Sequence, residues 1–263
     1  LEGKALDVDI VDAHVHLGPS GGYVLEAQTE HDQVAVAERA MKTIGVRTMI
    51  MSGLQALLGA SVEGNDLLEQ VLHAHPGRFL GYLSFNPYYA DDLVPRFKRY
   101  FSGGAFVGFK TLCDYWRIPI TDARFNPMWA YANRHHLPVL SHTWTGPYNT
   151  PALFKDLVKR YPNVQFLFGH SGGGSDASRY EAEALAKKHR NVYLEWCGSF
   201  CSPAPWEDTL KAVGPRQIVF GTDAMAHDIN WELGRLLSLD VPDTVLTPIL
   251  GANMRRILAM RKG

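Results

Sequence analysis

The sequence is poor in cysteine and contains no long apolar run. Its three cysteines (Cys113, Cys197 and Cys201) are odd in number and lack zinc-ribbon spacing, so neither a disulfide framework nor a structural zinc site is predicted. No stretch approaches the roughly 20 consecutive apolar residues that a transmembrane helix requires. Residues Leu1–Asp9 lack the basic-then-apolar pattern of a signal peptide. We therefore expect a cytoplasmic protein with no membrane partner.

Charge of either sign is also modest. Charged residues make up 20% of the chain, and the formal net charge is -1, which gives no reason to expect nucleic acid as a partner. The 263 residues are 46% hydrophobic and show no linker or low-complexity segment, so one domain over residues 1–263 is predicted. A small-molecule substrate is the expected partner, and the sequence leaves homodimer formation open.

Short β-branched or aromatic runs alternate with longer amphipathic segments along the whole chain. The predicted strands are Asp9–Ala13, Val46–Met51, Phe79–Ser84, Phe106–Lys110, Pro138–Ser141, Val164–Gly169, Val192–Trp196 and Ile218–Thr222. The predicted helices that follow them are Gln33–Thr43, Glu63–Ala74, Asp91–Phe101, Phe125–His135, Pro151–Arg160, Asp176–His189, Pro205–Val213 and Trp231–Leu237.

Eight such alternations predict an α/β fold, a (β/α)8 TIM-type barrel. An extra C-terminal helix, roughly Asp243–Met260, is expected to pack outside the barrel. The alternative is a doubly wound open sheet, but that fold usually has fewer strands and a Gly-rich nucleotide turn.

Polar residues follow the apolar part of five predicted strands. The potential ligands or proton carriers at these carboxyl ends are His14, His16, His142, His170, Glu195 and Asp223. In a parallel barrel all carboxyl ends open on one rim, where barrel enzymes place their chemistry. Residues that are distant in sequence are therefore expected to converge there.

His14 and His16 are two residues apart on a strand, so their side chains share a face and can bind one cation together. Asp12 lies on the same face and could orient a ligand histidine. Taken singly, His142 could instead satisfy neighbouring backbone groups, and Asp223 could be a helix N-cap. The combination of these residues on one rim favours a metal site.

Five motifs in this order resemble the amidohydrolase superfamily. They are Ile10–His16, Gly108–Lys110, Leu140–Trp144, Gly169–Gly174 and Phe220–Asp223, and Ile249–Arg256 is similar to the closing helix of the family. The chain looks most like the amidohydrolase-related branch, which includes aminocarboxymuconate-semialdehyde decarboxylase and several lactonases. The resemblance covers essentially the whole chain.

The resemblance implies one divalent metal ion with the ligands His14, His16, His142 and Asp223. It also implies that His170 contacts the water or substrate, and that the glycines after it let the backbone approach the site. For Lys110 three roles remain open. It could contact the substrate, be carboxylated and bridge two metals as in other branches, or be structural.

Three imidazoles and a carboxylate suit Zn²⁺ best, with Mn²⁺ as the alternative. Such a site can activate water, with Asp223 as general base, to hydrolyse an amide, lactone or ester of a small molecule. The alternative is non-oxidative decarboxylation of a small aromatic or unsaturated acid, and a non-catalytic ligand-binding barrel is the third. Hydrolysis is our first expectation, because the chain is compact and lacks the long insertions of the family's decarboxylases.

Substrate contacts are predicted at Trp116, Arg117 and Trp144, which follow the fourth and fifth strands. The indoles could equally pack the rim, and Arg117 could be solvated. The glycine-containing loop Leu17–Thr29 is interpreted either as a lid or as a simple connection.

Overall fold

Eight parallel strands form one sheet, in which each strand pairs with the next one in the chain. A computed structural model describes residues 5–18, 29–198 and 204–262. The strands are β1 (Ile10–Leu17), β2 (Val46–Gly53), β3 (Phe79–Ser84), β4 (Phe106–Thr111), β5 (Pro138–His142), β6 (Gln165–Gly169), β7 (Val192–Trp196) and β8 (Ile218–Phe220). Most of the loop Leu17–Thr29, as well as Cys201, lies outside the described residues.

The sheet closes where β8 returns to β1. The backbone N–H of Asp223 donates to the carbonyl oxygen of His14 over 2.7 Å, and Val15 forms a parallel bridge with Ala224. Together with the intervening helices, this gives the predicted TIM-type (β/α)8 barrel. The closure places the end of β8 directly beside the histidines of β1.

Helices separate the strands. They are α1 (Glu30–Ile44), α2 (Leu54–Leu58), α3 (Ser61–Ala74), α4 (Ala90–Leu93), α5 (Phe97–Ser102), α6 (Cys113–Trp116), α7 (Asn126–His135), α8 (Leu157–Arg160), α9 (Asp176–Lys188), α10 (Ala204–Val213), α11 (Ile229–Leu237), α12 (Asp243–Thr247) and α13 (Asn253–Ala259). The predicted helix Asp91–Phe101 is broken into α4 and α5 by a 3-10 turn containing Pro95, which has no N–H for an α-helical bond. None of the described helices is long and apolar enough to cross a bilayer.

The apolar core has two parts. The larger part packs strand residues against the helices, and the smaller part gathers side chains from all eight strands inside the barrel, among them Ile50, Leu140 and Val219. Ile257 and Met254 of α13 belong to this interior cluster. The C-terminal helix therefore covers the amino-terminal end of the barrel and leaves the carboxyl end open.

Candidate active site

A small cavity of about 190 Å³ opens at the carboxyl ends of the strands. Its polar wall consists of His16, Lys110, His142, His170 and Asp223. Its apolar wall consists of Leu54, Leu57, Leu58, Leu112 and Tyr115. Residues from six different strands and connections thus meet in one volume, as expected for a barrel enzyme.

His14, His16 and Asp223 bring three potential ligand atoms within 4.8 Å of one another. Asp223 Oδ1 lies 2.8 Å from His16 Nε2 and 3.4 Å from His14 Nε2. All three residues are buried. This is the closest grouping of the predicted ligands among residues 5–18, 29–198 and 204–262.

The second ring nitrogen of each histidine has its own partner. His14 Nδ1 lies 3.0 Å from Glu195 Oε2, and His16 Nδ1 lies 3.0 Å from Ser52 Oγ. A carboxylate can only accept, so His14 carries its proton on Nδ1, and its Nε2 lone pair faces Lys110 Nζ at 2.5 Å and Asp223 Oδ1 at 3.4 Å.

This arrangement fits a cation. The lone pair of His14 Nε2 and the ionised oxygen of Asp223 repel each other unless a positive charge lies between or beside them. Burial lowers the pKa of His14 well below its ordinary value, so protonation of the ring does not supply that charge. The Lys110 amine lies 2.5 Å from His14 Nε2 and is one source of it, and a divalent cation held by the same atoms would be another. Imidazole nitrogen and carboxylate oxygen are common ligands of divalent transition metals.

His142, the fourth predicted ligand, lies outside this closest group. Its ring centroid is 4.6 Å from that of His170, and the Trp144 indole stacks on the His142 ring with a centroid distance of 5.9 Å. His142 still lines the same cavity. Its role as a ligand stays a prediction.

Lys110 extends from β4 to the centre of the site. Its Nζ lies 2.5 Å from His14 Nε2, and the side chain is buried. Burial lowers the pKa of this amine. Lys110 is the only lysine or arginine among the described residues that line the cavity. It is therefore placed to act on an anionic ligand or on the metal site.

Glu195 connects several parts of the site, and the sequence analysis assigned it no specific role. Its Oε2 accepts from His14 Nδ1 at 3.0 Å, from the His170 backbone N–H at 3.2 Å and from Cys197 Sγ at 3.2 Å. A Cβ at Gly221 would overlap Glu195 Oε1, so glycine is required there to make room for the carboxylate. Carboxylates that hold a ligand histidine in this way fix its tautomer and orientation.

His170 and Asp223 both adopt left-handed backbone conformations. Their φ angles are 63° and 55°, in a region that costs free energy for residues with a Cβ. Local hydrogen bonds hold them: Asp223 N–H donates to His14, and the Asp223 carbonyl accepts from Ala226 and His227. The resulting turns aim both side chains at the cavity.

The pKa directions define the charges of the site. Burial lowers the pKa of His170 to about 4 and that of His142 well below its ordinary value. For Asp223, burial favours protonation, but the neighbouring imidazoles outweigh it and hold its pKa well below its ordinary value. These directions correspond to neutral rings at His14, His142 and His170 beside an ionised Asp223 at neutral pH.

Asp12 does not orient an imidazole as expected. Its Oδ1 accepts from the backbone N–H groups of His14 and Thr222, and its Oδ2 accepts from Thr222 Oγ1 at 2.6 Å. Burial raises the pKa of Asp12 to about 7. The residue ties β1 to β8, and the carboxylate that contacts the His14 ring is Glu195 instead.

Two predicted substrate contacts lie away from the cavity. Trp116 is buried, donates its indole N–H to the Leu57 carbonyl at 2.7 Å and stacks near Phe125. Arg117 is exposed at the left-handed end of α6 and does not line the cavity. Both residues therefore lie at the rim of the barrel, outside the cavity. The neighbouring Tyr115 lines the cavity.

Trp144 supports two histidines rather than lining the cavity. Its ring stacks on His142 and meets His170 edge-on at 5.6 Å. A Cβ at Gly173 would overlap the indole, which explains the need for glycine after His170. The glycines after His170 were expected to let the backbone come close to the site, and at Gly173 the backbone lies against the indole of Trp144.

The sequence profile of the amidohydrolase family matches residues 11–259. The chain belongs to the amidohydrolase family. This family assignment agrees with the motifs of β1, β5, β6 and β8. A sequence comparison with curated proteins finds no significant match.

Solved structures similar to this amidohydrolase share its fold at low sequence identity. The 2,6-dihydroxybenzoate decarboxylase from Rhizobium aligns with a TM-score of 0.76 and 18% identity over 96% of this chain and 99% of its own. A 5-carboxyvanillate decarboxylase from Novosphingobium aromaticivorans, complexed with manganese and 4-hydroxy-3-methoxy-5-nitrobenzoic acid, has a TM-score of 0.75 and 14% identity over 98% of both chains. A putative amidohydrolase from Staphylococcus aureus has a TM-score of 0.69 and 15% identity, over 96% of this chain and 100% of its own.

Proposed function

We propose that this protein is a metal-dependent, non-oxidative decarboxylase of a small aromatic carboxylic acid. The observation that carries the proposal is the two-sided cavity. One wall is apolar, and the other combines a potential metal site with a buried lysine. The similar folds of decarboxylases that act on dihydroxybenzoate and carboxyvanillate support the same reading.

The cavity suits one planar ring that bears a carboxylate. Leu54, Leu57 and Leu112 offer an apolar surface, and the exposed ring of Tyr115 stands at the mouth. The volume of about 190 Å³ is below the range of roughly 300 Å³ or more that is typical of drug-sized ligands. A monocyclic acid is therefore favoured over a peptide or another extended substrate.

His14, His16 and Asp223 would hold a divalent ion, with His142 as the predicted fourth ligand. Zn²⁺ and Mn²⁺ both suit nitrogen and oxygen ligands, and manganese is bound in the similar 5-carboxyvanillate decarboxylase. When bound, the ion would supply positive charge for the carboxylate and oxygen substituents of the substrate.

The reaction exchanges a carboxylate for a proton on one ring carbon. The proton must form the new C–H bond as the C–C bond breaks and its electrons return to the ring, which releases CO2. Asp223 is our candidate for the proton carrier. It is ionised in the empty site, but the like charge of an incoming carboxylate raises its pKa, so that it can take up a proton from water and deliver it to the ring carbon. His170, kept neutral by burial, is placed to assist that transfer.

Hydrolysis, the first expectation from the sequence, is less well supported. That expectation was based on the compact chain and on the absence of long insertions. The alignment with the Rhizobium decarboxylase nevertheless covers 96% of this chain and 99% of that one, so compactness does not separate the two activities.

The test uses protein reconstituted separately with Zn²⁺ and with Mn²⁺. Each form is incubated with hydroxybenzoates, 2,6-dihydroxybenzoate and 5-carboxyvanillate, and in parallel with lactones and amides. We expect CO2 release from at least one aromatic acid. Hydrolysis of a lactone or amide without any CO2 release would overturn the proposal in favour of hydrolysis.

Asp223→Asn tests the proton carrier, because it keeps the size and one ligand oxygen but removes the acid. It should retain most of the metal and lose CO2 release by roughly 10²-fold or more. Asp92→Asn is the matched control, since Asp92 is exposed on α4. Turnover by Asp223→Asn close to that of the control would move the proton transfer to another residue.

A further inference from the structure

A second and larger cleft of about 590 Å³ opens at the opposite end of the barrel. It lies where β6, β7 and β8 begin, against the C-terminal helix. The residues that matter here are Gln165, Arg190, Tyr193, Arg216, Gln217 and Arg256. No part of the proposed catalytic mechanism uses this cleft.

Three arginines border the cleft, and no carboxylate is among the described residues that line it. Arg190, Arg216 and Arg256 take part in none of the ion pairs of the described chain. Arg179 and Arg255, in contrast, pair with carboxylates at 2.8 Å. Several like charges around one concavity create a positive potential that favours an anion.

Hydrogen bonds fix the backbone around these arginines. Gln217 Nε2 donates to the carbonyl oxygens of Ala186, His189 and Val192, at 2.8, 2.9 and 2.7 Å, and so ties the start of β8 to the connection that carries Arg190. Arg256 donates to the carbonyl of Arg216 at 2.8 Å. The cleft is therefore built on a rigid scaffold, with two guanidinium groups left exposed on it.

Tyr193 adds a hydroxyl group to the same cleft. The side chain belongs to the barrel interior and is 4% exposed, yet it lines the cleft. Its hydroxyl makes no hydrogen bond to the part of the chain that the structure describes. Because the side chain lines the cleft, an occupant of the cleft can accept a hydrogen bond from this hydroxyl.

We propose that this cleft binds a small phosphorylated molecule. A phosphoryl group carries close to two negative charges and three acceptor oxygens, so it can engage several guanidinium groups at once. The Tyr193 hydroxyl can donate to the same oxygens. The site is separate from the catalytic end and does not depend on the proposed decarboxylase activity.

Inorganic pyrophosphate is the probe, titrated calorimetrically into the intact protein at 150 mM NaCl, with citrate as a polycarboxylate for comparison. We expect saturable binding of one pyrophosphate per chain, and weaker binding of citrate. Arg190→Ala and Arg216→Ala should each weaken pyrophosphate binding roughly tenfold, because each removes a charge-assisted hydrogen-bond donor. Arg134→Ala is the matched control, since Arg134 is exposed on α7 outside the cleft, and it should bind as the wild type does.

Weaker binding in the variants can be distinguished from misfolding. The side chains of Arg190 and Arg216 make no hydrogen bond or ion pair to the described chain, so we expect their removal to leave the fold intact. Equal thermal midpoints of the variants verify this. Absence of saturable binding overturns the proposal. Equal weakening in Arg134→Ala shows only general charge attraction and also overturns it. Undiminished binding after both Arg190 and Arg216 are replaced by alanine shows that pyrophosphate does not use these arginines and overturns the proposal. Citrate binding at least as tight as pyrophosphate rejects the phosphoryl class.

Discussion

Glu195→Gln is the substitution that tests the arrangement of the site most directly. Glu195 does not line the cavity, and it reaches the predicted ligands only through His14 and the backbone of His170. Glutamine keeps the shape of the side chain and removes its charge. The variant therefore isolates the electrostatic part of the contact with His14.

The magnitude follows from the hydrogen bonds that Oε2 accepts. Three donors meet this one oxygen within 3.0 to 3.2 Å. An amide oxygen accepts less strongly than a carboxylate, and an amide NH2 in that position would face three donors. Loss of such a histidine partner typically weakens metal binding 10- to 100-fold, which corresponds to about 1.4 to 2.8 kcal/mol.

The assay is competition for Zn²⁺ against a chromophoric chelator at pH 7. Glu63→Gln is the matched control, since Glu63 is exposed on α3. The thermal midpoint of the metal-free variant is measured in parallel, and we expect it to stay within a few degrees of the wild type, because a buried charge has been removed together with its desolvation cost. Equal zinc affinity in Glu195→Gln and the control would refute the reasoning, since it would separate His14 from the metal.

Three further predictions concern single histidines. His14→Ala should reduce bound metal from about one ion per chain to a trace in elemental analysis, and full retention would remove His14 from the ligand set. His170→Asn should keep the metal content and lower kcat by roughly 10²-fold, whereas loss of the ion would make His170 a ligand. Acid should also destabilise the metal-free wild type more than His170→Asn. The pKa of His170 is about 4 in the folded protein, against an ordinary value of 6.5. Between pH 4 and pH 6.5 the unfolded chain therefore binds more protons than the folded one, so the free energy of unfolding decreases as the pH is lowered. The extra loss in the wild type on going from pH 7 to pH 4 is up to about 3 kcal/mol, and an equal fall of the denaturant midpoint in both proteins would contradict it.

The barrel could be predicted from the sequence because it rests on local periodicity. Each strand is a short apolar run, and the helix after it repeats apolar residues at three- and four-residue steps. The exceptions have local causes. Helix α2 has five residues and shows too little of a helical period, and Pro95 divides a segment whose apolar pattern is continuous.

The partners of the histidines could not be predicted in the same way. His14 and Glu195 are 181 residues apart, and only the closed barrel brings their side chains to 3.0 Å. From the sequence alone, the carboxylate of either Asp12 or Glu195 could accept a hydrogen bond from the His14 ring. The choice of Glu195 over Asp12 depends on the register of β7 and β8, which no pattern within one segment specifies.

The role of Trp116 could not be predicted, because its hydrogen-bond partner lies next to a helix that the sequence pattern does not indicate. A tryptophan that follows the fourth strand can contact a substrate at the rim. It can also be buried, in which case its indole N–H needs a hydrogen-bond acceptor. The Leu57 carbonyl supplies that acceptor, which holds the ring under α2. No pattern in the sequence indicates α2, so the packing role of Trp116 could not be separated from a role at the substrate.

The bonds between β1 and β8 also determine when the protein acquires its chemistry during synthesis. Asp12 and Thr222 are joined although they lie 210 residues apart, and Ile257 completes the interior beneath them. A ribosome-bound chain that stops before β8 has the histidines of β1 but lacks Asp223 and its loop. Contacts of such long sequence separation form late. We therefore expect nascent or prematurely terminated chains that lack β8 to be inactive, because they lack Asp223 and the contacts that close the barrel.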